Sequence, residues 1–230
     1  MFGLTIGFIN GLAVVKTKLP SFIVTLATFF ILQGVNAAGT LSLTDTTAIQ
    51  NIDSATGFES ARHFFAGDLT KYDFKVKVLW WIGITIVGAW LLAKTRFGNW
   101  IYSAGGDANA ARNIGVPVAR TKVILFVMTS GTAALMGIIE ALELRSMQSK
   151  EGIGLEFIFI ICAVVGGCLL TGGFGSVIGT ALGAAMLGMV QLGIIDAQWD
   201  SNWTYTFQGA ILFLAVILNM FVRRRAQTAR

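Results

Sequence analysis

Six apolar runs of 14 to 20 residues, parted by polar stretches, dominate this chain: 22–38, 76–93, 123–142, 157–170, 177–195 and 203–222. Crossing ~30 Å of hydrocarbon takes about 20 residues of helix. Inside lipid every backbone N–H and C=O must be paired within the protein, and continuous rather than alternating apolarity then means helices. Composition agrees: 55% of the residues are hydrophobic and only 13% charged, whereas a soluble domain carries about 25% charged residues. The expected fold is all-α, a polytopic membrane protein with about six complete transmembrane helices plus a partial N-terminal one. The partial one is FGLTIGFINGLAVV, residues 2–15, about two-thirds of a crossing. No basic residue precedes it and no small-residue cleavage site follows, so it reads as the second half of a spanning helix rather than a signal peptide. Residues 1–230 form one transmembrane domain on this reading, with long polar segments at 40–75 and 98–120.

Charge orients the runs. With the arginine-rich C-terminus in the cytoplasm and the chain alternating backwards, Lys16, Lys18, Lys94, Arg96, Arg112, Arg120 and Lys122 fall inside too. Together that is 11 of the 17 basic residues, against one acid, Asp107. Glu140, Glu143, Glu151, Glu156, Asp196 and Asp200 fall outside or at outer helix ends. Every loop obeys the positive-inside rule in this one arrangement. Segment 40–75 is then extracytoplasmic and 98–120 cytoplasmic. The net charge of +5 sits in clusters beside apolar runs, an orientation signal that gives no reason to expect a nucleic-acid partner.

Several chemistries lack their residues. Cys162 and Cys168 lie in one apolar run, read as packing residues rather than a disulfide or metal site. The only histidine, His63, sits beside Arg62 and two phenylalanines in the outer segment, so no Ser/His/Asp set and no metal site is expected. No acid or base falls unambiguously mid-run, as coupled carriers and pumps need. If the protein moves something, the energy enters through a partner, and the chain itself is not an enzyme.

Glycine spacing carries more. Gly175, Gly179 and Gly183 recur every four residues, which places them on one helix face and lets another helix approach closely. No strand precedes them and no Lys-Ser/Thr follows, which rejects a phosphate loop. Gly166-Gly167 and Gly172-Gly173 bound a short run, the pattern of a broken or re-entrant helix. In GGDANAAR, Gly105 and Gly106 allow a turn, Asp107 stands where a helix cap would, and Ala108 to Arg112 are good helix formers. A second turn is expected at Gly115-Val116-Pro117. Such a short, low-relief helix suits a groove on another protein; a plain solvated loop is the other reading.

These residues resemble the permease subunit of bacterial ABC importers, of the group taking up monosaccharides such as ribose, xylose or galactose. The similarity lies in Gly105-Gly106-Asp107-x-x-Ala110-Ala111-Arg112 with Gly115 and Val116, in Asn10-Gly11, and in Pro20 to Leu26, PSFIVTL. It continues in Gly166-Gly167, Gly172-Gly173-x-Gly175, Gly179-Thr180 and Gly183-Ala184, in the family's order along essentially the whole chain. The resemblance implies a pair of permease subunits (homodimer or heterodimer) in the bacterial inner membrane. A cytoplasmic ATP-binding subunit would hold the loop at Gly105, Gly106, Asp107, Asn109, Ala110, Ala111 and Arg112. Asp107 and Arg112 would serve as polar contacts or caps, and Ala110 and Ala111 as the packing face. A periplasmic sugar-binding protein would dock outside; ATP is the partner's, and the permease holds no cofactor. Family members are longer and carry several more N-terminal spans, so the resemblance implies that residues 1–230 match their C-terminal two-thirds and lack those spans. Cys168 and Leu169 replace small hydroxyl residues frequent after the Gly-Gly pair, and Gln191 stands where Asn is common.

Asn10, Phe22, Thr25, Thr28 and Gln33 are the substrate-path candidates, being polar or aromatic near the expected pore. Hydroxyls in membrane helices more often bond their own backbone or a neighbouring helix. Competing functions are a related permease for branched-chain amino acids or nucleosides, a non-transporting membrane scaffold, and a secondary carrier.

Overall fold

The computed structural model describes residues 1–49, 52–54, 57–67, 75–200 and 202–228, with the side chains of the last helix described as far as Met220. Arg230 and the side chains of Arg223, Arg224 and Arg225, which entered the charge argument, lie outside the described residues, as do Asp68 and Asp73 of the outer segment. Helices α1 (Phe2–Thr17), α2 (Ser21–Thr44), α3 (Phe58–Ala66), α4 (Val76–Lys94) and α5 (Arg96–Gly106) come first. They are followed by α6 (Ala108–Asn113), α7 (Val118–Leu144), α8 (Leu155–Val165), α9 (Val177–Asp196) and α10 (Trp203–Thr228). Five of these are long and apolar enough to cross a membrane: α2, α4, α7, α9 and α10. The run at 157–170, counted above as a short sixth crossing, forms only the 11-residue α8, and α1 is a second short apolar helix.

The chain divides into two compact units, 1–83 with 117–151, and 84–116 with 152–230. In the first, α1 runs antiparallel to α7, with Gly3 against Ala134, Gly7 against Phe126 and Ser130, and Gly11 against Val123. A Cβ on Gly7 would stand 2.6 Å from the Phe126 carbonyl oxygen, so only glycine permits this approach. Lipid offers helices no hydrophobic drive to associate, and close van der Waals packing takes its place. At the C-terminal end of α7, Leu142 is buried with Phe58 and Ala66 of α3, and Phe65 stacks on Trp80 at 5.5 Å. There a two-residue antiparallel ladder pairs Ala48 with Gln148 and Ile49 with Met147. Asn36 on α2 donates to the Ser149 carbonyl at 2.8 Å, and Lys75 and Lys77 both pair with Glu143. The polar 40–75 segment therefore contains the last turn of α2, a 3-10 turn at Ile52–Ser54 and α3, the local helix that its length suggested.

The second unit is built on α8, α9 and α10. Ile161, Cys162 and Leu187 are buried together, with Ile211 and Leu212 of α10 packed on them. α8 stops because Gly167 takes φ 87°, a conformation that side chains disfavour. Its N–H donates to the Val164 carbonyl at 3.0 Å and that of Cys168 to Ala163 at 2.9 Å, the paired bonds of a Schellman end. Asn219 of α10 adds a donor to Val164 at 3.2 Å. Ser176 starts α9 by accepting from the Gly179 N–H at 3.3 Å.

Candidate functional site

The site grows from two short helices joined at one residue. Thr95 caps α5 by accepting from the Gly98 N–H at 3.1 Å. Asp107 ends α5, its N–H donating to the Ser103 carbonyl at 3.2 Å, and begins α6. Its carboxylate accepts from the N–H groups of Asn109 at 2.8 Å and Ala110 at 3.1 Å. Those bonds, Ala110's first and then Asn109's, hold the carboxyl below its ordinary pKa. The predicted cap and helix are both present. α6 closes with Gly115 donating to Arg112 and Val116 to Ala111, each at 3.0 Å, and Pro117 stops the helix from continuing. Of the two alanines expected to pack, Ala111 is buried and Ala110 exposed; Asn109, Arg112 and Ile114 also face outward.

Gly105 and Gly106 do not form the expected turn; they are the last residues of α5. Their bareness serves a close approach instead. A Cβ on Gly105 would lie 2.7 Å from the Gly173 nitrogen, and one on Gly173 would lie 2.8 Å from the Gly106 Cα. Four glycines, 105, 106, 172 and 173, thus bring the end of α5 backbone to backbone with the loop after the α8 break. Tyr102 fastens the same junction, its hydroxyl donating to the Gly175 carbonyl at 2.7 Å. Cys168 closes the loop from within, its sulfur 3.3 Å from the Thr180 hydroxyl.

Gly179 and Gly183 lie on the α9 face turned to α8, where Gly166 and the Cys162 carbonyl leave no room for a side chain. Gly175 departs from the expected one-helix face: it precedes the Ser176 cap and packs on Cys168. Of the substrate-path candidates, the structure brings two together. Thr28 donates to the side-chain oxygen of Asn10, which is buried, at 2.7 Å. Thr25 bonds its own turn, at Ser21 and Phe22, while Phe22 is exposed and Gln33 half-buried. Sequence reasoning missed Tyr102, Asn219 and the Gly3-Gly7-Gly11 stripe. The stripe had a signal, the same four-residue spacing read correctly at Gly179 and Gly183; Tyr102 had none.

Among known proteins, residues 1–216 match the family model described as branched-chain amino acid transport system / permease component. The chain is 31% identical over 220 residues to the inner membrane ABC transporter permease protein YjfF of Escherichia coli K12, covering 95% of this chain and 64% of that protein. It is 32% identical to the ribose import permease protein RbsC of the same strain (94% and 65%) and 32% identical to its L-arabinose transport system permease protein AraH (96% and 64%). The chain therefore spans just under two-thirds of the length of these relatives. No solved structure matches it significantly.

Proposed function

Because the chain belongs to the family of branched-chain amino acid transport system permease components, we propose that it is a membrane-spanning subunit of an ATP-driven importer for a monosaccharide. Relatives named for ribose and L-arabinose favour a sugar over an amino acid or nucleoside. The observation that carries the reading is α6: a helix capped at both ends, presenting Asn109, Ala110 and Arg112 outward, directly behind a helix seated on the break after α8. A cytoplasmic ATP-binding subunit holds α6 in a surface groove. When that subunit closes on ATP, it displaces α6. Because α5 lies against Gly172 and Gly173 with no intervening side chains, the displacement passes to the α8–α9 junction rather than being absorbed in loop flexing. A second permease subunit completes the pore, and a periplasmic binding protein delivers the sugar from the other side. This subunit makes and breaks no bonds; ATP stays on its partner.

In this arrangement α6 and the C-terminus face the cytoplasm of the bacterial inner membrane. The grouping of Lys18 and Lys122 around one cavity at the end of the α1–α7 pair supports that orientation.

ATP hydrolysis by the reconstituted complex tests the reading, with liganded binding protein titrated across pentoses, hexoses and branched-chain amino acids. Stimulation by one monosaccharide is the expected result. Stimulation only by an amino acid would move the substrate class, and failure of any ATPase to bind would remove the importer.

A further inference from the structure

The turn between α1 and α2 and the start of α7 border an open cleft of about 400 Å³. Its lining combines the polar Lys18, Ser21 and Lys122 with the apolar Val14, Leu125 and Phe126. All belong to the first compact unit. Lys122 is half-buried, and neither lysine has a carboxylate partner among the described residues. Exposed Lys18 and half-buried Lys122 border the same cleft, so one bound anion would meet both ammonium groups. Ser21 adds a hydroxyl at the first residue of α2, a helix that no side chain caps.

We propose that this cleft binds the phosphate headgroup of an anionic phospholipid. The mixed lining suits such a molecule: Lys18, Lys122 and Ser21 meet the phosphate, while Val14, Leu125 and Phe126 meet the first carbons of an acyl chain. A free phosphate uses only the polar residues. The level in the membrane fits too. Lys18 follows the last turn of α1 and Lys122 lies in the second turn of α7, where the helices leave hydrocarbon and basic side chains meet lipid headgroups. The inference needs the chain to span a membrane but does not depend on what it transports.

Native mass spectrometry of the full chain in detergent tests it, with phosphatidylglycerol and phosphatidylcholine of identical acyl chains added in turn, and inorganic phosphate as a third arm. The wild type retains phosphatidylglycerol and sheds phosphatidylcholine. Lys18→Gln with Lys122→Gln weakens retention by about tenfold or more, since each basic residue near an anionic surface contributes about 1 kcal/mol. Lys18→Arg with Lys122→Arg keeps the lipid, and Lys150→Gln, a surface control, changes nothing. Equal retention of the two lipids, or of phosphatidylglycerol by the glutamine variant and wild type, overturns the proposal. Displacement of the lipid by millimolar inorganic phosphate also overturns it, marking a soluble-anion site instead.

Discussion

Asp107 joins two helices, its N–H closing α5 and its carboxylate capping α6, and its chemistry sets how it responds to substitution and to pH. Asp107→Ala leaves the Asn109 and Ala110 N–H groups without their acceptor, so α6 frays while the rest of the chain stays folded. On the proposed importer reading, the expected result is retained expression and lost stimulation of the ATPase by the binding protein. Asp107→Asn, which keeps an accepting oxygen, restores most of it. The pH dependence follows from the lowered pKa. A carboxylate held below its unfolded value of 3.8 stabilises the folded form above that value, and the contribution disappears as pH falls through the folded pKa. Amide exchange at Ala110 is therefore expected to be protected without pH-dependent loosening from pH 5 upward, once corrected for intrinsic rates, and to lose protection only in strong acid. Gly105 tests the other half of the site. Gly105→Val forces a side chain onto the Gly173 nitrogen. On the same proposed reading, ATPase binding through α6 should survive while sugar uptake falls about tenfold or more, the loss that misplacing a coupled element by an ångström brings. Gly209→Ala, in open space on α10, is the control.

At the scale of elements, glycines decide both where helices end and how near they come. Gly167→Ala keeps the α8 sequence but places a Cβ at φ 87°, costing about 1–2 kcal/mol. Asn219→Ala removes one of two donors to Val164 and should cost less, about 0.6 kcal/mol as interhelical bonds in membranes average. Thermal denaturation in detergent checks that order; a larger loss for Asn219→Ala would mean that α10 rather than Gly167 holds the end of α8. On α1, Gly7→Leu should lower stability by about 1–3 kcal/mol through overpacking against Phe126 and Ser130. Four-residue spacing predicts such seams, and it served for Gly179 and Gly183. It failed for Gly175 because periodicity does not say where a helix begins; Ser176, a good cap directly before the apolar run, does. Gly105 and Gly106 were misread for a related reason. Two glycines in sequence signal either a bend or a close approach, and only the partner backbone distinguishes them.

For the whole molecule, the charge alternation makes a claim that labelling can check. Single cysteines at Asn109 and His63, in a chain whose Cys162 and Cys168 are replaced by alanine, should react with impermeant maleimide from opposite faces of an inverted vesicle. Reaction from the same face would break the alternation. The spans, their order and the capped α6 were legible in the linear chain because they depend on local matters: run length against bilayer thickness, lysine and arginine at run ends, a cap residue before helix formers. The reduction of the 157–170 run to an 11-residue helix was half legible, flagged by its glycine pairs but resolved only by the Schellman bonds at Gly167. What the tertiary structure alone decided is which surfaces meet. Gly105 and Gly106 find Gly172 and Gly173, Tyr102 finds Gly175, Asn10 finds Thr28, and α1 finds α7. In lipid every apolar face is equally content with hydrocarbon, so hydropathy cannot choose among partners; the choice falls to the few places where small side chains or paired polar groups let two backbones come close.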